Sequence, residues 1–363
     1  MYALLFADAG LDIGRLSSLF VLWSVTGLLL EVPAGAFADA VSRRLPLVIG
    51  PLLTAAGFAL WVLAPGYWSF AAGFVLWGAK GALASGALEA LVHDELARLG
   101  RAGAYARTMG RARAAGLLGV MAGTGLAGPV LGAGGYAAVG AASVAACLLT
   151  AAVAGRFPAV RNGGDGDDEP PLRSAFAELR RSSRVRGAVL LIPAVAAVWG
   201  ALDEYTPLLA RETGAADTAV PWLLLVVWAG ATAGGLLGGR WSERLPGGRR
   251  LAWLLGGCGA ALALGAWVRH PAGMVLVGVA FCGFQLAGVV ADARLQERIT
   301  GPARATLTSF AGLATDLATI GVYGGYALAA APTSHATAFA VLALPYVVAS
   351  ALAPVLRRAW TSP

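Results

Sequence analysis

One long apolar run after another constrains this chain more than anything else in it. A helix needs about 20 apolar residues to cross the hydrocarbon core of a bilayer. About eleven stretches reach that length: 14–37, 46–64, 69–92, 109–131, 136–155, 187–209, 219–239, 251–268, 272–291, 305–329 and 336–356. Only 13% of the 363 residues are charged and 58% are hydrophobic, whereas soluble domains carry about 25% charged residues. Backbone polar groups in lipid must be satisfied within their own segment, so serial runs of this length predict an all-α integral membrane protein. Glycine and proline inside the runs fit that reading, since small residues let membrane helices approach closely.

The net charge of +7 does not mark a nucleic-acid surface, because the arginines sit in short loops between apolar runs. With the loop at 39–44 placed in the cytoplasm, the cytoplasmic side collects Arg43 and Arg44, the arginines of 98–113, 156–186, 240–250 and 294–304, and Arg357 and Arg358. The outer side holds Arg15, Arg211 and Arg269. This is the positive-inside bias, and it puts the C-terminus in the cytoplasm. The Ala-, Gly- and Arg-rich composition reads as a bacterial chain, hence a multi-pass protein of the bacterial inner membrane. Cys147, Cys258 and Cys282 lie scattered in apolar runs, without the spacing of a disulfide framework or a zinc site. His93, His270 and His335 fall at span ends, away from partners at metal-ligand spacing. The glycines of 234–239 lack the Gly-Lys-Ser/Thr ending of a phosphate-binding loop, which argues against an ATP-driven pump. Ser85-Gly86 reads as a small-residue packing face rather than a nucleophile. No enzyme and no cofactor are expected.

The middle of the chain breaks the pattern. Asn162 to Pro171 is acidic and glycine-rich, and Leu172, Phe176 and Leu179 then recur at helical spacing among arginines. A cytoplasmic linker ending in a short amphipathic helix on the inner leaflet is expected there. It divides the chain into 1–160, 161–186 and 187–363. The two flanking halves echo each other. Gly35 to Arg44 is matched by Gly238 to Arg250, and the charged connector Glu89 to Arg113 by Asp292 to Arg304. Recurrence of this kind signals duplicated six-helix bundles. Met1 to Ala7 reads as the outer end of a first span whose inner part is missing, so that either the start lies further upstream or most of span 1 is absent; the former is expected.

Gly35, Asp39, Arg43 and Arg44 occupy the positions of the loop motif Gly-x-Leu-Ala-Asp-Arg-x-Gly-Arg-Arg/Lys, with Phe37, Ala40 and Ser42 departing from it. On these residues, and on the paired halves, the chain resembles the major facilitator superfamily over nearly its whole length. The resemblance implies two bundles of six helices related by a pseudo-two-fold axis, about eleven full spans being present here. It implies substrate binding between the bundles near the midplane, with alternation between inward- and outward-open states. It also implies that Asp39 caps the helix starting near Arg304 as part of a cytoplasmic gate, with Glu89 and Asp94 beside Arg43 and Arg44. Gly119, Gly128, Pro129 and Gly132 resemble the antiporter motif of drug/proton exporters, Gly-x8-Gly-Pro-x-x-Gly-Gly, with Ala133 in the last place. This favours export.

Ionisable residues inside spans are costly and mark functional positions. Lys80, the only lysine, lies about 15 Å along span 4 from its outer end, near the midplane. On one continuous helix, Glu89 falls on the opposite face from it. Glu31 lies in span 2. Asp316 lies mid-span among Thr308, Thr315, Thr319 and Tyr323, a polar stripe expected to face water, substrate or the other half. Trp199 and Asp203 share a face of span 7, and Trp77 sits one turn from Lys80. These define the expected substrate and proton pathway, with Asp316 and Glu31 as first choices for coupling. The sequence-level reading is a proton-coupled exporter of small amphiphilic compounds, with substrate, protons and lipid as its partners and no obligate protein partner. A solute importer, or a degenerate membrane protein that transports nothing, are the alternatives.

Overall fold

The computed structural model describes residues 1–40, 42, 44–158, 179–242, 248–298 and 304–352. No strand occurs among them. The chain forms two compact units, residues 1–166 and 167–363. The first contains α1 (Tyr2–Asp8), α2 (Ile13–Ala40), α3 (Arg44–Leu63), α4 (Tyr67–Ala84), α5 (Ala87–Arg98) and α6 (Tyr105–Ala154). The second contains α7 (Ser183–Glu212), α8 (Val220–Ser242), α9 (Gly248–Trp267), α10 (Gly273–Arg298), α11 (Arg304–Ala330) and α12 (His335–Leu352). Among the described residues, 8 helical stretches are long and apolar enough to cross a membrane. One of them, Arg107–Ala154, belongs to a helix folded into two arms. Gly134 and Gly135 leave the helical conformation there, Gly135 at φ 63°, in the left-handed region that glycine enters without steric cost. The expected boundary between spans 5 and 6 falls at this point.

Two features differ from expectation. Span 4 is not one helix over 69–92. It ends at Ala84, Ser85 is extended, and Gly86 at φ 69° starts α5. Added atoms at Gly86 would meet nothing within 4 Å, so Ser85-Gly86 is a helix break rather than a packing face. The opposite-face relation of Lys80 and Glu89, which assumes one continuous helix, does not hold. At the loop motif, α2 runs on to Ala40 and α3 begins at Arg44, so Asp39 sits in a helix and the connection is only 41–43. The expected amphipathic helix after the linker lies outside the described residues, apart from Leu179 in a short helical stretch.

Each unit repeats one packing order. In the first, α2 packs on α4, α4 on α3, and α3 on α6; in the second, α8 packs on α10, α10 on α9, and α9 on α12. The second arm of α6 is the one against α3: a Cβ at Gly140 would overlap the Val62 side chain, and Arg44 Nη1 donates to the Phe157 carbonyl at 3.1 Å. The core of the first unit is built from large aromatic side chains. Phe6, Phe20, Phe70 and Phe74 are fully buried and, with Tyr2, Trp61 and Trp77, form a continuous ring cluster joining α1, α2, α3 and α4. Each such pair contributes about 0.5–1.5 kcal/mol beyond area burial.

Helix packing in lipid relies on close contact rather than on a hydrophobic drive, and α8 and α10 show it. Gly230, Gly234 and Gly238 fall one turn apart on α8. A Cβ at Gly230 or Gly234 would overlap the carbonyl oxygen of Gly278 or Cys282, and one at Gly238 would meet the Val289 side chain at 2.6 Å. The two backbones therefore touch at Gly230 and Gly234, and a side chain takes over the contact at Gly238.

Candidate functional site

The ionisable residues expected in the pathway of the first unit have different surroundings. Glu31 is exposed on α2. Lys80 is half-buried in α4, and a Cβ on Gly50 would sit 3.2 Å from its Cγ, so its stem lies along the α3–α4 seam. Its amino group has neither hydrogen bond nor ion pair among the described residues. Trp77 belongs to the ring cluster, stacked on Trp23 at 5.3 Å and 23° and edge-on to Tyr2 and Trp61.

Of the expected gate motif, Arg43 and the side chain of Asp39 lie outside the described residues, and Gly35 sits within α2. Arg44 does not meet Glu89 or Asp94. Its guanidinium instead holds the Phe157 carbonyl, just past the end of α6, where cationic side chains complement unsatisfied carbonyls. Asp94 pairs with His93 at 3.6 Å, and Arg98 with Glu95, within α5 itself. Glu89 is half-buried in the first turn of α5.

In the antiporter-like motif, Gly119 and Gly132 are exposed, Gly128 is buried and Pro129 is exposed. All four lie in the first arm of α6, which stays helical through Pro129. A Cβ at Gly119 would meet nothing within 4 Å.

In the second unit, α7 is the central helix, touching α8, α10, α11 and α12. Trp199 and Asp203 are both half-buried on it. The Trp199 ring sits edge-on to Phe281 of α10, centroids 5.5 Å apart. Its Nε1–H is buried and unpaired among the described residues. The polar stripe of α11 is only partly turned into the unit: Thr308 is exposed, with its Oγ1 accepting from Gln296 of α10 at 3.2 Å, Thr315 is half-buried and donates back to the Ala311 carbonyl at 2.8 Å, and Tyr323 is buried against Tyr205 of α7. Back-bonding of a hydroxyl to the preceding turn satisfies it without water. Asp316 is exposed on the same helix.

Several polar contacts were not anticipated from the residues alone. Asp8 at the end of α1 accepts from Tyr136 Oη at 2.6 Å, at the start of the second arm of α6. Glu212 at the end of α7 accepts the backbone N–H of Ala336 at 3.2 Å, and Tyr326 Oη meets His335 Nδ1 at 2.8 Å. Tyr346 of α12 donates to the Val195 carbonyl at 3.0 Å. Apart from Tyr326 and His335, which are nine residues apart, these partners are far apart in sequence, so spacing carries no signal for them. The Gly230, Gly234, Gly238 repeat was visible as a small-residue step of four. Among the described residues no group of acidic, histidine or cysteine side chains could hold a metal ion.

Helices of this length and apolar character define a multi-pass membrane protein. The model of the Major Facilitator Superfamily matches residues 1–330, and the chain belongs to that family. No curated protein matches the chain in sequence. Among solved structures it is similar to the nucleoside transporter NupG, with a TM-score of 0.76 and 12% identity, covering 98% of this chain and 93% of that one. A point mutant of NupG gives the same values. At this identity the likeness concerns the fold.

Proposed function

We propose that the chain is a proton-coupled secondary transporter that exports small amphiphilic compounds by alternating access. The carrying observation is the set Glu31, Lys80, Asp203 and Asp316, ionisable residues inside apolar helices of a transporter family. Charge at such depth is kept where a solute or ion pathway needs it. The antiporter-like residues Gly119, Gly128, Pro129 and Gly132 support the outward direction. The protein would act in a bacterial inner membrane with its C-terminus in the cytoplasm, with a small solute and protons as its partners.

A second reading is proton-driven uptake of a polar solute, supported by the likeness to a nucleoside transporter. One experiment separates the two. The full chain is reconstituted in proteoliposomes, acid inside, and challenged with ethidium, a neutral macrolide and uridine while internal pH is followed. Export-type exchange predicts solute-dependent loss of the acid interior with ethidium or the macrolide. Uridine accumulation driven by an acid exterior, with no exchange of the other two, supports uptake. No proton-linked flux in either direction refutes proton coupling.

A further inference from the structure

Trp199 and Asp203 are one helical turn apart, so their side chains are neighbours on α7. Both are left incomplete in this conformation. The Trp199 Nε1–H is buried with no acceptor among the described residues, a condition costly enough that native proteins seldom leave it without a reason. Asp203, half-buried within a membrane-length apolar helix, has no hydrogen bond or ion pair among the described residues. A carboxylate charge at such a place requires a donor or a counter-charge. The missing acceptor of one residue and the missing donor of the other are complementary.

Within the second unit no described side chain hydrogen-bonds or ion-pairs with Asp203. On α7 itself the neighbouring acid is Glu204. Helix α8 carries no titratable side chain from Val220 to Gly239. Helix α10 presents Phe281 and Cys282, with Asp292 and Arg294 about three turns further along. Helix α11 brings Asp316, Tyr323 and Tyr326, the Tyr323 ring lying edge-on to the Tyr205 ring. Helix α12 brings Tyr346, whose hydroxyl is spent on the Val195 carbonyl, and His335, which meets Tyr326.

We propose that Asp203 is the proton-carrying carboxyl of the transport cycle and that Trp199 is its switchable donor. This rests on the proton-coupled reading above. With the proton on, the neutral carboxyl needs no donor and the indole stays edge-on to Phe281. With the proton released to water, the carboxylate takes the Nε1–H bond and draws the indole from Phe281, so that proton loss repacks the α7–α10 seam. The carboxyl O–H is the only covalent bond made or broken. The coupling role is thereby placed on Asp203 rather than on Asp316 or Glu31.

The test needs no substrate. Infrared difference spectra of the full chain in proteoliposomes, recorded across a pH titration, report the carbonyl stretch of a protonated carboxyl. That band is expected to vanish as pH rises, to be absent in Asp203→Asn, and to persist to higher pH in Trp199→Phe, where the carboxylate has lost its donor. A band unchanged in Asp203→Asn, or lost in Asp316→Asn instead, overturns the assignment. An unchanged titration midpoint in Trp199→Phe overturns the role of Trp199. Proton-linked flux in proteoliposomes reports separately on the transport reading: a titrating Asp203 without flux defeats that reading alone, and flux with an unaltered band in Asp203→Asn defeats this proposal alone.

Discussion

At the residue scale, the tightest constraint is Gly234. A Cβ there would overlap the carbonyl oxygen of Cys282 on α10, and a backbone carbonyl inside a helix cannot step aside as a flexible side chain can. Gly234→Ala is therefore expected to destabilise by about 1–3 kcal/mol, the usual cost of overpacking. Gly257, on α9, is the control, since a Cβ there meets nothing within 4 Å and alanine is the better helix former by about 1 kcal/mol. Thermal unfolding of the detergent-solubilised protein should show a lowered midpoint for the first variant and an equal or raised one for the second. Equal midpoints for both would mean that α8 and α10 do not touch there.

At the element scale, most helices were legible and most contacts were not. The spans could be read because lipid admits only long, internally bonded apolar helices, and the boundary at 131–136 because two glycines stand where the chain must turn. The break at Ser85-Gly86 was missed because it lies inside an apolar run, and hydropathy does not register backbone conformation. The stripe on α11 is visible in the residues as one face, but which neighbour it meets depends on helix crossings that spacing does not encode. Trp199 and Asp203 were visible as a pair, yet their unpaired state needed the packing around them. The break itself makes a prediction. With φ at 69°, Gly86→Val costs about 1–2 kcal/mol in that conformation. Faster amide hydrogen exchange over residues 85–98 than in the parent chain is expected; unchanged exchange would mean that the left-handed turn is not required. The cap of α12 makes another. Glu212→Ala removes the acceptor for the Ala336 N–H, a loss of about 1 kcal/mol for a helix N-terminus, and should raise exchange in the first turn of α12 selectively.

At the scale of the whole molecule, the arginine bias predicts an orientation that can be tested directly. In a variant with Cys147, Cys258 and Cys282 replaced by alanine, Asp12→Cys should react with a membrane-impermeant maleimide in intact cells, and Arg101→Cys only after permeabilisation. The reverse pattern would invert the topology. Within the second unit, Tyr346 and Glu212 tie the last helix to the first at Val195 and at Ala336, two points about 25 Å apart along α7 at 1.5 Å per residue. One tie would be a pivot, about which the two helices could still scissor. Two, at different depths, make a brace between the first and last helices of the unit. A bundle braced in this way transmits a push at one end to the other as a tilt of the whole, and repacking confined to the α7–α10 seam would travel to α12 without a hinge.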